Sequence, residues 1–184
     1  MPTTVMEVET GRKTGTQLGK NAADHAGKYL TFFLAGEEYG LEILKVQEIM
    51  GMMAVTPVPR TPEFIRGVIN LRGKVIPVVE LRRKFDMETV EYTDETCIIV
   101  VQTQGLQTGL IVDKVSEVLD IAGDDIEDAP SFGDEVRTDF ILGIGKSADR
   151  VKLLLDIDKV LTDRELGDLR SVAVPTETPE SQSN

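Results

Sequence analysis

The residue with the most pointed chemistry is an arginine in a turn. Phe64-Ile65-Arg66-Gly67-Val68-Ile69-Asn70-Leu71-Arg72-Gly73-Lys74-Val75-Ile76-Pro77-Val78-Val79-Glu80-Leu81 holds two runs rich in β-branched residues on either side of Asn70-Leu71-Arg72-Gly73. Asn and Gly tolerate positive φ and suit a tight reversal between antiparallel strands. A guanidinium is planar and permanently charged, and its donors match a carboxylate two at a time. The chemistry it offers is recognition of a carboxylate, on a partner or on a neighbour such as Glu48 of this chain. A lone turn arginine is more often a solvated cation, so the surrounding string has to carry the case.

Reaction chemistry lacks its parts. The single histidine, His25, falls in a stretch without apolar periodicity, and the single cysteine, Cys97, lies within Thr96-Cys97-Ile98-Ile99-Val100-Val101. A nucleophile needs a positioned base. A reactive thiol needs a cue that lowers its pKa. Cys97 reads instead as a core thiol. Gly143-Ile144-Gly145-Lys146-Ser147 imitates the end of a phosphate loop, but Phe140 stands where the first glycine belongs and no helix follows. Asp124-Asp125-Ile126-Glu127-Asp128 lacks the ligand spacing of a calcium loop and reads as a solvated acidic loop. One Cys and one His make zinc a poor prospect. Glu80, Asp156 and Asp158 form no spacing that would bring two carboxylates into one cleft. No cofactor and no metal are expected.

Composition narrows the partners. The chain has 184 residues, a formal net charge of −12, 41% hydrophobic residues and no tryptophan. Such acidity opposes binding to a phosphate backbone or to an anionic membrane surface. The core must be built from Val, Ile and Leu. A single cysteine allows no intrachain disulfide and fits a reducing cytosol. No run has the length of a transmembrane helix, and Met1 to Leu18 lacks the apolar stretch of a secretory signal.

The elements that must hold Arg72 are short strands. Residues 1–27 and 167–184 are expected to be a disordered arm and tail, with little apolar surface to bury. Between them, Leu30, Phe32 and Leu34 alternate with polar or opposite-facing neighbours, and Gly36-Glu37-Glu38 turns the chain toward Tyr39, Leu41 and Ile43. Further hairpins are expected around Asn70–Gly73, around Gln104-Gly105 and across Lys146–Arg150. Val79–Phe85 offers one or two helical turns, and Asp156 is placed to cap a helix from Ile157 to Arg164. Strict alternation from Ile43 to Ile49 would put Ile43, Lys45, Gln47 and Ile49 on one side and Leu44, Val46 and Glu48 on the other. That is either a strand buried on both faces or an apolar strip open to a partner. No tandem repeat is evident. Many strands and few helices predict a sandwich or small barrels, and the strand count favours two barrels that share strands.

Taken together, Tyr39–Ile49, Pro57, Phe64–Gly73 and Ile76–Leu81, followed by Gly109–Leu119 and Leu155–Leu161, closely resemble the CheW family of bacterial chemotaxis coupling proteins. The resemblance covers residues 28–166. It implies an all-β fold of two intertwined five-stranded SH3-like β-barrels with short helices. It implies a non-enzymatic cytoplasmic adaptor that couples methyl-accepting chemoreceptors to the chemotaxis histidine kinase and is recruited to membrane-associated signalling arrays. The partners so implied are the kinase regulatory domain and the cytoplasmic tip of the receptors, with no nucleic acid and no membrane insertion. Positions matching Leu30, Ile43 and Val46 would line the kinase contact, and those matching Glu48, Gly67 and Arg72 would lie at the receptor groove. The kinase itself carries this fold, but the chain has no kinase glycine loop and no room for a receiver domain. A small β-barrel hydrolase would need a positioned base, and a nucleic-acid-binding barrel would need a basic face. Phosphate release and a salt-dependent DNA titration separate those two from an adaptor.

Overall fold

The computed structural model describes residues 22–129 and 138–173. Its strands are β1 (Gly27–Leu34), β2 (Glu37–Glu42), β3 (Val46–Gly51), β4 (Ile65–Leu71), β5 (Lys74–Glu80), β6 (Cys97–Thr103), β7 (Leu106–Val112), β8 (Lys114–Ile121), β9 (Ile126–Glu127), β10 (Ile141–Ser147) and β11 (Arg150–Leu155). The helices are α1 (Leu81–Lys84), α2 (Ile157–Val160) and α3 (Asp163–Ala173), with 3-10 turns at Ala22–His25, Ile43–Lys45 and Gly123–Asp125.

Four hairpins turn in the same way. The central pairs are Ala35-Gly36, Arg72-Gly73, Gln104-Gly105 and Ala148-Asp149, and φ is positive at all eight residues. Left-handed conformation at both central positions matches the right-handed twist of the flanking strands. Asn70 therefore does not take the positive φ in its turn. Its Oδ1 accepts a hydrogen bond from the Gly73 N–H at 2.8 Å, and Arg72 adopts φ 53°.

The strands form two sheets. One is six-stranded in the order β8-β1-β2-β11-β10-β9, and the other is five-stranded in the order β3-β6-β7-β5-β4. The first sheet takes its strands from both ends of the chain and the second from the middle, so the chain leaves one sheet, builds the other and returns. The fold is all-β as expected, but it departs from two closed five-stranded barrels. One sheet has six strands, and among the described residues neither sheet closes on itself by main-chain pairing.

Two segments of the chain repeat one arrangement, although no tandem repeat is evident in the sequence. Phe64-Ile65-Arg66-Gly67 opens β4 and Phe140-Ile141-Leu142-Gly143 opens β10. Each has a register shift between its Ile and its Gly. The amides of Glu80, the last residue of β5, and Asp156, the residue after β11, donate to the carbonyls of Phe64 and Phe140, both at 2.7 Å. β5 then pairs parallel with β7 at Gly109, and β11 with β2 at Gly40. A Cβ at either glycine would stand 2.9 Å from a packed side chain, Ile98 or Leu154. Few identities survive between the halves because most strand positions need only the right polarity on the right face.

The main core lies between the sheets. Leu30, Phe32, Leu34 and Leu41 meet Ile65, Val79, Ile99, Val101 and Leu110, with Leu155, Ile157 and Val160 beside them. The other face of each sheet has its own smaller cluster, which buries Ile98 and Val100 in one and Tyr29 and Ile121 in the other. Burial on both faces explains the unbroken apolar run Ile98–Val101.

The described residues run beyond 28–166 at both ends. Ala22–His25 packs on the Gly123–Asp125 turn, and the Tyr29 hydroxyl donates to the His25 carbonyl. Asp156 caps only α2, accepting from the Asp158 amide at 3.0 Å. α3 then runs past residue 167, where the body was expected to end, with Leu166 and Leu169 buried. A chain ending at Gly167 is therefore expected to be less stable than one ending at Ala173 by about 1.5–3 kcal/mol, the loss of one buried leucine side chain. Thermal melts of the two truncations check this. Coincident melts would show that α3 adds nothing beyond Leu166.

Candidate functional site

Arg72 and Glu48 meet across an open seam. β3 and β4 are the two edges of the five-stranded sheet and do not pair with each other as strands. The Arg72 turn nevertheless reaches back to β3. Arg72 Nη1 donates to Glu48 Oε2 at 3.3 Å and Nη2 donates to Oε1, a two-pronged contact between guanidinium and carboxylate. The Arg72 side chain stays 70% exposed and that of Glu48 33%. The Arg72 hydrogen bonds hold the Glu48 carboxyl below the ordinary carboxylate range, against a smaller opposing effect of desolvation. The clasp is thus fully charged at neutral pH, yet most of the Arg72 side chain faces solvent.

Gly67 shapes the same seam from below. It is buried, with φ 144°, and the segment after β3 crosses over it. Thr56 and Val68 exchange backbone hydrogen bonds of 2.8 and 2.9 Å. A Cβ on Gly67 would lie 2.1 Å from the Thr56 carbonyl oxygen. Its role is close approach of two backbones, and its own surface is covered.

The other end of β3 carries an apolar knob. The expected strand from Ile43 to Ile49 is broken, because Ile43–Lys45 forms a 3-10 turn before β3 begins. Sequence alternation had paired Leu44 with Val46. The turn instead throws Leu44 into solvent at 93% exposure, while Ile43 and Val46 stay half-buried against the main core. Lys45 braces the knob through an ion pair of 2.7 Å with Asp158 on α2. Burial alone would raise the Asp158 carboxyl. Hydrogen bonds from Lys45 and Thr103 outweigh it and hold the group low. Leu30, expected at the kinase contact, is 2% exposed and packs in the main core.

Other candidates are accounted for locally. Cys97 is half-buried and its thiol donates to the Glu95 carbonyl at 3.1 Å. Gly143–Ser147 lies within β10, and Lys146 pairs with Glu127 at 2.7 Å. Glu80 accepts from the Tyr92 hydroxyl, Asp156 caps α2 and Asp158 binds Lys45, so the three carboxylates serve separate contacts. Among the described residues, no group of three or more His, Cys, Asp or Glu side chains could hold a metal ion. No helix among them is long and apolar enough to cross a membrane.

Residues 28–165 match the family model described as the CheW-like domain. The chain is 40% identical over 157 residues to the chemotaxis protein CheW of Klebsiella aerogenes, covering 85% of this chain and 95% of that protein. It is 37% identical over 139 residues to chemotaxis protein CheW of Bacillus subtilis, covering 75% and 88%. Among solved structures it matches the scaffolding protein TtCheW from Thermoanaerobacter tengcongensis, with a TM-score of 0.69 and 36% identity, over 76% of this chain and 95% of that one.

Proposed function

This chain belongs to the CheW family, and on that premise we propose that it is a non-enzymatic adaptor that couples methyl-accepting chemoreceptors to the chemotaxis histidine kinase. It works in the cytoplasm, recruited to receptor arrays at the membrane, and needs no cofactor. The observation that carries this reading is that one edge strand, β3, serves two unlike surfaces. At its start stands the braced knob of Ile43, Leu44 and Val46. Farther along, Glu48 fixes Arg72 at the open seam.

The kinase regulatory domain takes the knob. An exposed leucine held on a rigid turn is a suitable anchor, because little side-chain entropy remains to be lost on binding. Ile43 and Val46 form its base, and Leu30 supports them from the core without contact. The receptor tip takes the seam around Arg72, whose exposed guanidinium offers donors to an acidic receptor residue. Glu48 orients that arginine, and Gly67 lets the covering segment lie close.

The reading is tested by co-sedimentation of the full chain with receptor cytoplasmic fragments and with the kinase. Recovery with neither overturns it. Within that assay, Val46→Asp is expected to lower kinase affinity by about tenfold or more, since it places an unpaired charge in an apolar contact. Val46 also touches the core, so Leu44→Asp serves as the companion variant. At that exposure it cannot disturb the fold, and it should weaken kinase binding while leaving receptor binding intact. Unchanged kinase affinity in both variants would remove the knob from the contact.

A further inference from the structure

The turn that carries the apolar knob has little of its own to hold it. Ile43–Lys45 is a 3-10 turn of three residues, none of them buried, and Glu42 at its start gives it no side-chain cap. A backbone hydrogen bond from the Val46 N–H to the Ile43 carbonyl closes it. Such short 3-10 turns have poorer hydrogen-bond geometry than an α-helix. Leu44 is 93% exposed, so its own side chain adds no anchoring contact. The support comes from behind the turn, through Lys45.

A series of polar contacts leads from Lys45 back to the last helix. Lys45 Nζ donates to Asp158 Oδ2 at 2.7 Å. The other oxygen of that carboxylate, Oδ1, accepts from the Thr103 hydroxyl at 3.0 Å. Thr103 ends β6 and is 1% exposed, so this side of Asp158 is anchored in the body. The Asp158 backbone is held as well. Its N–H donates to Asp156 Oδ1, and its carbonyl accepts from Gln104 Nε2, both at 3.0 Å. Gln104 is the first left-handed residue of the β6–β7 hairpin, with φ 50°. The Gln104 carbonyl accepts in turn from Arg170 Nη2 on α3 at 2.9 Å. Leu166 and Leu169 are buried and fasten that helix to the body. The match to the family model ends at residue 165, so Leu169 and Arg170 lie beyond it. A half-exposed ion pair such as Lys45–Asp158 is worth little when both partners must be ordered to form it. Here the carboxylate is already fixed, and only the lysine has freedom to lose.

We propose that Asp158 and Arg170 are positioning residues for the kinase contact: a relay from α3 through Gln104, Asp158 and Lys45 holds the Leu44 turn in the shape that the kinase binds. This inference rests on the reading of the knob as the kinase surface. Its effect is preorganisation, because a turn that is already fixed has less freedom to lose on binding. A helix that runs past the matched domain thereby sets the kinase affinity of this chain. The relay meets β3 on the side of Val46 away from Glu48, so receptor binding at the seam should not respond to it.

The test measures kinase and receptor affinity for the full chain and its variants, together with hydrogen exchange at the Val46 amide that closes the turn. Asp158→Asn removes the charge that holds Lys45 and should lower kinase affinity by about three- to fivefold, the scale of one partly exposed ion pair, with faster Val46 exchange. Arg170→Ala, at an exposed position, should lower kinase affinity by about threefold, the scale of one hydrogen bond. Arg170→Lys keeps a donor for the Gln104 carbonyl and should recover most of that loss. In a Leu44→Ala background, Asp158→Asn should cost much less, since it acts through the turn. Receptor affinity and circular dichroism should match the wild type throughout. Wild-type kinase affinity in both Asp158→Asn and Arg170→Ala, while Leu44→Asp weakens kinase binding, overturns this inference and leaves the knob reading standing. Weaker kinase binding in Asp158→Asn without faster Val46 exchange would make Asp158 a direct contact and also overturns it. So does an equal loss toward kinase and receptor, which reports general destabilisation. Wild-type kinase affinity in both Leu44→Asp and Val46→Asp overturns the knob reading and this inference with it.

Discussion

Replacing Arg72 with alanine is expected to abolish receptor-dependent kinase activation while the protein stays folded. The reason lies in where the residue sits. Its backbone occupies the first left-handed position of a tight turn, so the side chain cannot fold back into the sheet. Its guanidinium reaches across to Glu48, yet it remains 70% exposed. Little of the core depends on it, so the melt should barely change. Receptor affinity should fall by about tenfold or more, the usual consequence of removing one partner from a charged interfacial contact. Arg72→Lys keeps the charge but loses the two-pronged geometry and should rescue only partly.

The clasp adds a sharper comparison. Glu48→Gln removes the ion pair and leaves the arginine available. If the receptor reads Arg72 directly, Glu48→Gln should be much milder than Arg72→Ala. If the receptor reads only a seam closed by the pair, the two variants should be equally damaging, and exchanging the charges (Glu48→Arg with Arg72→Glu) should restore coupling. Equal receptor affinity for wild type, Arg72→Ala and Arg72→Lys would sink the assignment of Arg72 to the receptor surface.

Gly67→Val is expected to produce the largest loss of stability among these variants. The new Cβ would lie 2.1 Å from the Thr56 oxygen and 2.9 Å from the Pro57 Cα, both backbone atoms that no rotamer change can move. The φ of 144° adds conformational strain of about 1–3 kcal/mol for any side chain. Forcing the two segments apart costs a similar amount, about 1–3 kcal/mol, as overpacking generally does. For a protein of this size each kcal/mol moves the melting temperature by about 2–4 °C, so the combined drop should approach or exceed about 10 °C. Gly67→Ala should show most of it, since the clash begins at Cβ. Weak receptor coupling in a Gly67 variant would then report a displaced seam, whereas Arg72→Ala would report a lost contact. A native-like melt for Gly67→Ala would contradict the close approach of Thr56.

Much of the molecule is written locally in its sequence. Period-two alternation marked β1 and β2, and runs of β-branched residues marked β5 and β6. Gly at the second turn position located three of the four hairpins, because few other residues accept that φ. Asp156 advertised the start of α2, since a short carboxylate next to an apolar run can accept the first free amide. The order of motifs along the chain was specific enough to point to the family. The turn position of Arg72 was also legible, because Asn70 and Gly73 mark a tight reversal around it.

What required the tertiary structure is everything that joins positions distant in the chain or departs from a simple period. The sequence left Arg72 two carboxylate partners, Glu48 or an acidic receptor residue, and the structure pairs it with Glu48, across two edges of one sheet that are far apart in the strand order. Leu44 was assigned to the wrong side because a 3-10 turn interrupts the alternation, and one residue of slip moves a side chain to the other face. The resemblance implied Leu30 for the kinase contact, and its side chain is buried, since its exposure depends on a second sheet built from residues far downstream. Leu169 was placed outside the body because its short helix has little apolar content and is held by packing on the sheets. The repeat between Phe64–Leu81 and Phe140–Ile157 was hidden because its two copies conserve hydrogen bonds and register more than side chains. Local propensity fixes turns and strands at short range. Which edges face each other, and so which charges meet, is decided by burying both faces of two sheets at once.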